Sequence, residues 1–102
     1  GIHTSEGKVT LRNALVSDNT ASRAGGIFNG FNTELTNVTV SGNSAEEAYG
    51  GILSGFHMQM DNTIVALNTA PSDPDVHGYL QGKHNLIGLD PDFVVHFHEF
   101  SP

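Results

Sequence analysis

"GGIFNGFNTELTNVTVSGNSA" (Gly25–Ala45) is followed almost at once by "GGILSGFHMQMDNTIVALNTA" (Gly50–Ala70). A chain of 102 residues that writes nearly the same stretch twice declares a repeat, and a repeat decides the fold before any single residue does. Several columns keep one phase. The Gly-Ile pairs Gly1-Ile2, Gly26-Ile27 and Gly51-Ile52 recur every 25 residues. Asn13, Asn37, Asn62 and Asn85 are 24, 25 and 23 apart, and Asn19, Asn43 and Asn68 are 24 and 25 apart. Ala21, Ala45 and Ala70 follow the same beat.

Within a unit the pattern is that of short strands. In "VTLRN", "TELTN" and "MQMDN", the positions Val9/Thr33/Met58 and Leu11/Leu35/Met60 alternate with Thr10/Glu34/Gln59 and Arg12/Thr36/Asp61. Such period-two alternation predicts strands with one buried face. A second β-branched run follows each Asn, with Val16, Val40 and Val65 as its inward member. Neither the i, i+3, i+4 spacing of a helical repeat nor the fixed leucines of a leucine-rich repeat are present. The expected fold is all-β, a parallel β-solenoid of about four coils, each coil stacked about 4.8 Å from the next. The repeats fall near 1–24, 25–49, 50–74 and 75–95, with 96–102 as a C-terminal tail or cap; "VVHFHEF" (Val94–Phe100) reads as a final strand or a cap over that end of the solenoid.

The Asn columns have two physical uses. Asn tolerates the left-handed backbone of a tight bend. Its amide can also bond the Asn of the next coil, satisfying groups that would cost roughly 1–3 kcal/mol each if buried unpaired. Both series, Asn13, Asn37, Asn62, Asn85 and Asn19, Asn43, Asn68, are expected to form such a structural ladder. Asn37 is expected to point inward, so its "NVT" glycosylation pattern reads as structural.

Composition removes several function classes. Four cations against eleven acids leave a net charge of −7, the wrong sign for a phosphate backbone or an anionic membrane surface. There is no Cys, so disulfides and thiolate metal sites are excluded. No stretch is apolar enough for a membrane-spanning helix.

At this level of detail the residues resemble a known family. "GGIFNG…LTNVTVSGNSA" and "GGILSG…MDNTIVALNTA" are similar to the Gly-Gly-Ile and Asn-Ser/Thr-Ala repeats of secreted right-handed parallel β-helix proteins, including polymorphic outer-membrane and other bacterial surface proteins. "NTIVALNTAPSDPDVHGYLQGKHNLIG" (Asn62–Gly88) resembles the terminal coil of large bacterial β-helix proteins, and "DPDF" (Asp90–Phe93) fits the segment that follows. The likeness covers Gly1 to Val95. It implies a right-handed, pectin-lyase-like fold, an extracellular, cell-surface or outer-membrane setting, and further β-helix coils of a parent chain. It implies no reaction, since one fold hosts many functions.

The residues themselves suggest little chemistry. Arg12 and Asp61 share an outward column two coils apart, about 10 Å by strand spacing, which reads as a solvated face. Asp73, Asp75, Asp90 and Asp92 form two "DPD" triplets that read as turn chemistry, too few oxygens for a calcium ion. Glu46-Glu47 reads as solubility. His96 and His98, with Glu99 adjacent, would face one side of a strand, yet zinc needs a third ligand and fixed geometry. His3, His57, His77 and His84 share no single column. No Ser-His-Asp arrangement emerges, and the Gly-Gly pairs lack the helix and Lys of a phosphate loop. Phe31 and Phe56 share a column, as an intercoil stack or as a platform for sugar rings. No catalytic, cofactor-binding or metal residue is therefore expected, and no cofactor. The expected function is a non-enzymatic structural solenoid segment of a bacterial secreted or surface protein, with adhesion as its role. The alternative is a module that binds or degrades polysaccharide, and the expected partners are polysaccharide or a host or cell surface.

Overall fold

The computed structural model describes residues 1–88. Their regular structure consists of strands, and no helix among them is long and apolar enough to cross a membrane. The first coil carries β1 (Ile2–Thr4), β2 (Lys8–Arg12), β3 (Leu15–Ser17) and β4 (Thr20–Arg23). The second repeats them as β5 (Ile27–Asn29), β6 (Asn32–Thr36), β7 (Thr39–Ser41) and β8 (Ser44–Ala48). The third has β9 (Ile52–Ser54), β10 (His57–Asp61) and β11 (Ile64–Ala66); the fourth has β12 (Val76–Gly78), β13 (Gln81–Lys83) and β14 (Leu86–Ile87). Each strand pairs in parallel with its counterpart one coil away, giving three four-stranded sheets, β1-β5-β9-β12, β2-β6-β10-β13 and β3-β7-β11-β14, and the pair β4-β8. The chain is a parallel β-solenoid of about four coils.

Register turns the sequence columns into rows of touching side chains. Leu11, Leu35 and Met60 are partners in successive coils, as are Val16, Val40 and Val65, and Ile2, Ile27, Ile52 and Val76. These rows line the inside of all three large sheets and form one core with Met58, Val38 and Leu80. A single coil cannot close such a core, so each row gains its burial from the coil above and below.

Corners fix where the chain turns. Three positions per coil take a left-handed backbone: Asn13, Asn37, Asn62 and His84 (φ 51–58°); Asp18, Gly42 and Leu67 (φ 57–71°); and Ala24, Tyr49 and Asp73 (φ 43–65°). Asn at the first corner meets this geometry at low cost. The Gly-Gly pairs answer a different demand. A Cβ on Gly26 would sit 2.6 Å from the Gly51 carbonyl oxygen, and one on Gly51 would run into the Asp75 carbonyl and lie 2.8 Å from Asn68 Nδ2. Close approach of neighbouring coils, rather than φ, requires glycine there.

The fourth coil is shorter. Gly78 pairs with Ser54, 24 residues earlier, but Gln81 pairs with Gln59, 22 residues earlier. Two residues are lost at the corner between β12 and β13.

Candidate functional site

The two Asn series do different work. Asn19, Asn43 and Asn68 form a one-directional ladder. Asn19 Nδ2 donates to Asn43 Oδ1 at 2.9 Å, and Asn43 Nδ2 donates to Asn68 Oδ1 at 3.0 Å. The same oxygens accept the backbone N–H of Asn19 and Asn43, at 3.1 and 3.0 Å. The ladder ends on a carboxylate: Asp75 Oδ1 accepts from both Asn68 N and Asn68 Nδ2, at 3.1 and 2.9 Å. Asn43, Asn68 and Asp75 are buried. Charge-assisted acceptance at the end of an aligned row polarises the whole row favourably.

The other series differs from expectation. Asn13, Asn37 and Asn62 are exposed, each taking the left-handed backbone of its corner itself. Asn37 Nδ2 reaches Asn13 Oδ1 at 3.2 Å in solvent. The inward placement of Asn37 is thereby corrected, and its "NVT" motif loses the burial on which the structural reading rested. Asn85 is not in this column at all. The shortened fourth coil puts His84 there, and the Asn62 N–H bonds the carbonyl just before it, on Lys83. Asn85 falls one place later and is fully buried, where its Oδ1 accepts Thr63 N and its Nδ2 donates to the Met60 carbonyl, at 3.0 and 2.9 Å.

A further polar column, Thr4–Asn29–Ser54, escaped the sequence reading. Its members are 25 residues apart and buried, but the residue type changes at each step, so the row shows as a period without an identity. Thr4 Oγ1 donates to Asn29 Oδ1, and Asn29 Nδ2 donates to Ser54 Oγ, at 3.0 and 3.1 Å. This row holds the next corner in place. Asn29 Oδ1 accepts Phe31 N at 3.3 Å, Asn29 Nδ2 donates to the His57 carbonyl at 2.7 Å, and Ser54 Oγ donates to the Tyr79 carbonyl at 2.7 Å.

The corner so fixed carries aromatic rings. Phe31 and Phe56 stack with centroids 5.6 Å apart and planes 11° from parallel. They also remain 38% and 54% exposed, and Tyr79 in the next coil is 55% exposed. The intercoil stack is present, and both rings are also exposed. Beside the ridge lies a groove of about 340 Å³ lined by Phe56, His57, Met58, Tyr79, Leu80 and Gln81.

The outward face of β2-β6-β10-β13 adjoins this groove. Its columns are Lys8/Asn32/His57, Thr10/Glu34/Gln59/Gln81 and Arg12/Thr36/Asp61/Lys83. Arg12 and Asp61 are two coils apart, with Thr36 between them. Lys8 Nζ sits 2.9 Å from Glu34 Oε2, and the hydrogen bond and charge of Lys8 hold the Glu34 carboxyl below its ordinary range. His57 Nδ1 meets Asn32 Oδ1 at 3.1 Å, and Gln81 Nε2 donates to Gln59 Oε1 at 2.8 Å. Among the described residues, the face carries bonded amides and the close Lys8–Glu34 ion pair.

The "DPD" turn at Asp73 and Asp75 bends as expected, with Asp73 at φ 43°, but both carboxylates are buried. Asp73 Oδ2 is 2.7 Å from His77 Nδ1, and Tyr49 stacks on the His77 ring at 4.6 Å with Arg23 above Tyr49 at 5.9 Å. Of the histidines, His3 and His77 do lie in one row, separated by Phe28 and Leu53. His3 stacks on Phe28 at 4.6 Å. Among the described residues no group of three or more His, Asp or Glu is placed to hold a metal ion. The expectations for Asp90, Asp92, Phe93, His96, His98 and Glu99, and for the strand "VVHFHEF", lie outside the described residues.

Comparison with models of known families, with curated proteins and with solved structures finds no match to this chain.

Proposed function

We propose that this chain is a non-enzymatic structural segment of a right-handed, pectin-lyase-like β-solenoid on a bacterial surface or in a secreted protein, acting in adhesion. What supports this is the use made of the recurring residues. Asn43 and Asn68 ladder the coils, Val40 and Val65 fill them, and Gly26 and Gly51 let them approach. The repeated chemistry is spent on stacking. Strands β1, β2 and β3 each end a sheet, and an open strand edge accepts another coil, which suits a piece of a longer stack. The test pairs adhesion with turnover. Beads coated with the chain are expected to be retained on cell or glycan surfaces, while polygalacturonate and alginate stay intact in buffer with and without calcium. Release of unsaturated oligosaccharides would overturn the non-enzymatic part, and loss of retention relative to albumin-coated beads would overturn the adhesive part.

A second reading, a polysaccharide-binding or polysaccharide-degrading module, is favoured by the exposed Phe31–Phe56 ridge beside a groove and a hydrogen-bonding face. Its degrading form shares the turnover assay above. Its binding form is compatible with adhesion.

A further inference from the structure

We infer that the corner formed by Phe31, Phe56 and Tyr79 is a binding site for neutral hexopyranose chains. The inference rests on the polysaccharide-binding reading and adds the place and the chemical class of the ligand.

Four observations converge. First, the ridge is aromatic and exposed: two near-parallel phenyl rings stack along the solenoid direction, and beyond Phe56 the groove opens toward Tyr79 in the following coil. A pyranose ring has one face of C–H groups and a rim of hydroxyls, which suits an aromatic plane edged by polar groups. Second, the rim is polar and uncharged. His57 engages Asn32 through Nδ1, leaving Nε2 as its second hydrogen-bonding atom, and Gln81 and Gln59 supply amides. An aliphatic partner laid here would strip water from the imidazole and the amide without replacing it, at a cost of roughly 1–3 kcal/mol per group. Third, charge selects against acidic glycans. The chain carries −7 overall; on the adjoining face Lys8 is held by Glu34 at 2.9 Å, and Arg12 and Lys83 stand with Asp61 in the column farthest from the corner. A polyuronate would meet long-range repulsion from the chain's net charge, whereas a neutral chain would not. Fourth, the ridge is built rather than incidental. The fully buried amide of Asn29 and the buried hydroxyl of Ser54 bond the backbones of Phe31, His57 and Tyr79, so the rings are presented by a fixed corner and little ordering cost remains at binding. The groove, about 340 Å³, lies within the ~300–1,000 Å³ range of ligand clefts. In the first coil the equivalent corner is "SEG" (Ser5–Gly7), so the aromatic ridge begins at the second coil.

The test titrates the chain with cellohexaose, laminarihexaose and trigalacturonate, followed by calorimetry and amide NMR. At least one neutral hexasaccharide is expected to bind saturably, with shifts concentrated at Phe31, Phe56, His57 and Gln81. Phe56→Ala and Phe31→Ala should each weaken binding about tenfold, the size of a single well-placed contact. Phe56→Leu keeps apolar bulk and removes the flat ring, so it should weaken binding too while preserving the dispersed amide spectrum. Neutral binding undiminished in all three variants would overturn the site and leave polysaccharide binding standing. Binding of trigalacturonate alone would overturn the ligand class. No binding of any saccharide would overturn both the site and the reading beneath it.

Discussion

Replacing Asn43 by Leu separates the two roles that Asn plays in this solenoid. The Asn43 side chain accepts from Asn19 N and Asn19 Nδ2 and donates to Asn68 Oδ1, Val16 O and Ser41 O. In Asn43→Leu, Asn68 Oδ1 keeps the Asn43 backbone N–H and Asn19 Nδ2 keeps Ser17 O. Asn19 N loses its partner, while Val16 O, which keeps the Ser41 N–H of the parallel ladder, and Ser41 O each lose one bond. At roughly 1–3 kcal/mol for the orphaned N–H and ~0.5–1.5 kcal/mol for each of the other lost bonds, the loss is about 2–6 kcal/mol, a large part of a small domain's ~5–15 kcal/mol. Asn37→Leu behaves otherwise. It gives up one solvent-exposed bond to Asn13 and places a branched side chain at φ 54°, a strain of about 1–2 kcal/mol. Asn37→Gly removes that strain and should be close to wild type. Asn19→Leu, at the half-buried end of the ladder, should fall between. Urea denaturation reads the order directly: with a slope of about 1–2 kcal/mol/M, Asn43→Leu lowers the midpoint by ~1 M or more. Equal midpoints for Asn43→Leu and Asn37→Leu would refute the ladder energetics.

Gly51→Ala should lower the urea midpoint more than Gly7→Ala, because its Cβ meets the Asp75 carbonyl while that of Gly7 meets open space; Gly7→Asn, which suits φ +80°, should restore Gly7→Ala to near wild type. Glu34 should titrate below the ordinary carboxylate range by NMR, and move back up in Lys8→Met. Because its folded pKa is depressed, its small stabilisation is present above the unfolded pKa and lost as pH falls through the folded one; an unchanged Glu34 midpoint in Lys8→Met would refute the assignment to Lys8. Expressed through a eukaryotic secretory pathway, the chain should gain an endoglycosidase-sensitive mass that Asn37→Gln abolishes, since the "NVT" asparagine is exposed; an unshifted wild-type mass would count against access at that corner.

Much of the architecture was legible as a period. Leu35, Val40, Val65 and Ile52 announced the inside of the coil by alternation and recurrence together, and register seats each against its counterpart. The aromatic corner was legible in part. Phe31 and Phe56 recur at the coil period, but Tyr79 does not, because the fourth coil drops two residues on the way to its next strand. Thr4, Asn29 and Ser54 kept the period and lost the identity, since any small hydrogen-bonding side chain can serve a row in which donors and acceptors alternate.

The sequence by itself determined that the chain coils, how long the first three coils are, and which apolar residues stack. Tertiary structure alone decided which asparagines face in. Asn37 and Asn43 recur with equal regularity at the ends of short strands, and nothing in spacing or type tells them apart. The difference is the place each holds at its corner: Asn37 itself takes the left-handed φ at the strand end and is exposed, while Asn43 follows the left-handed Gly42 and its amide bonds within the coil stack. A repeat fixes what lies above and below a residue; the corner's dihedrals fix whether it meets water or its own copy.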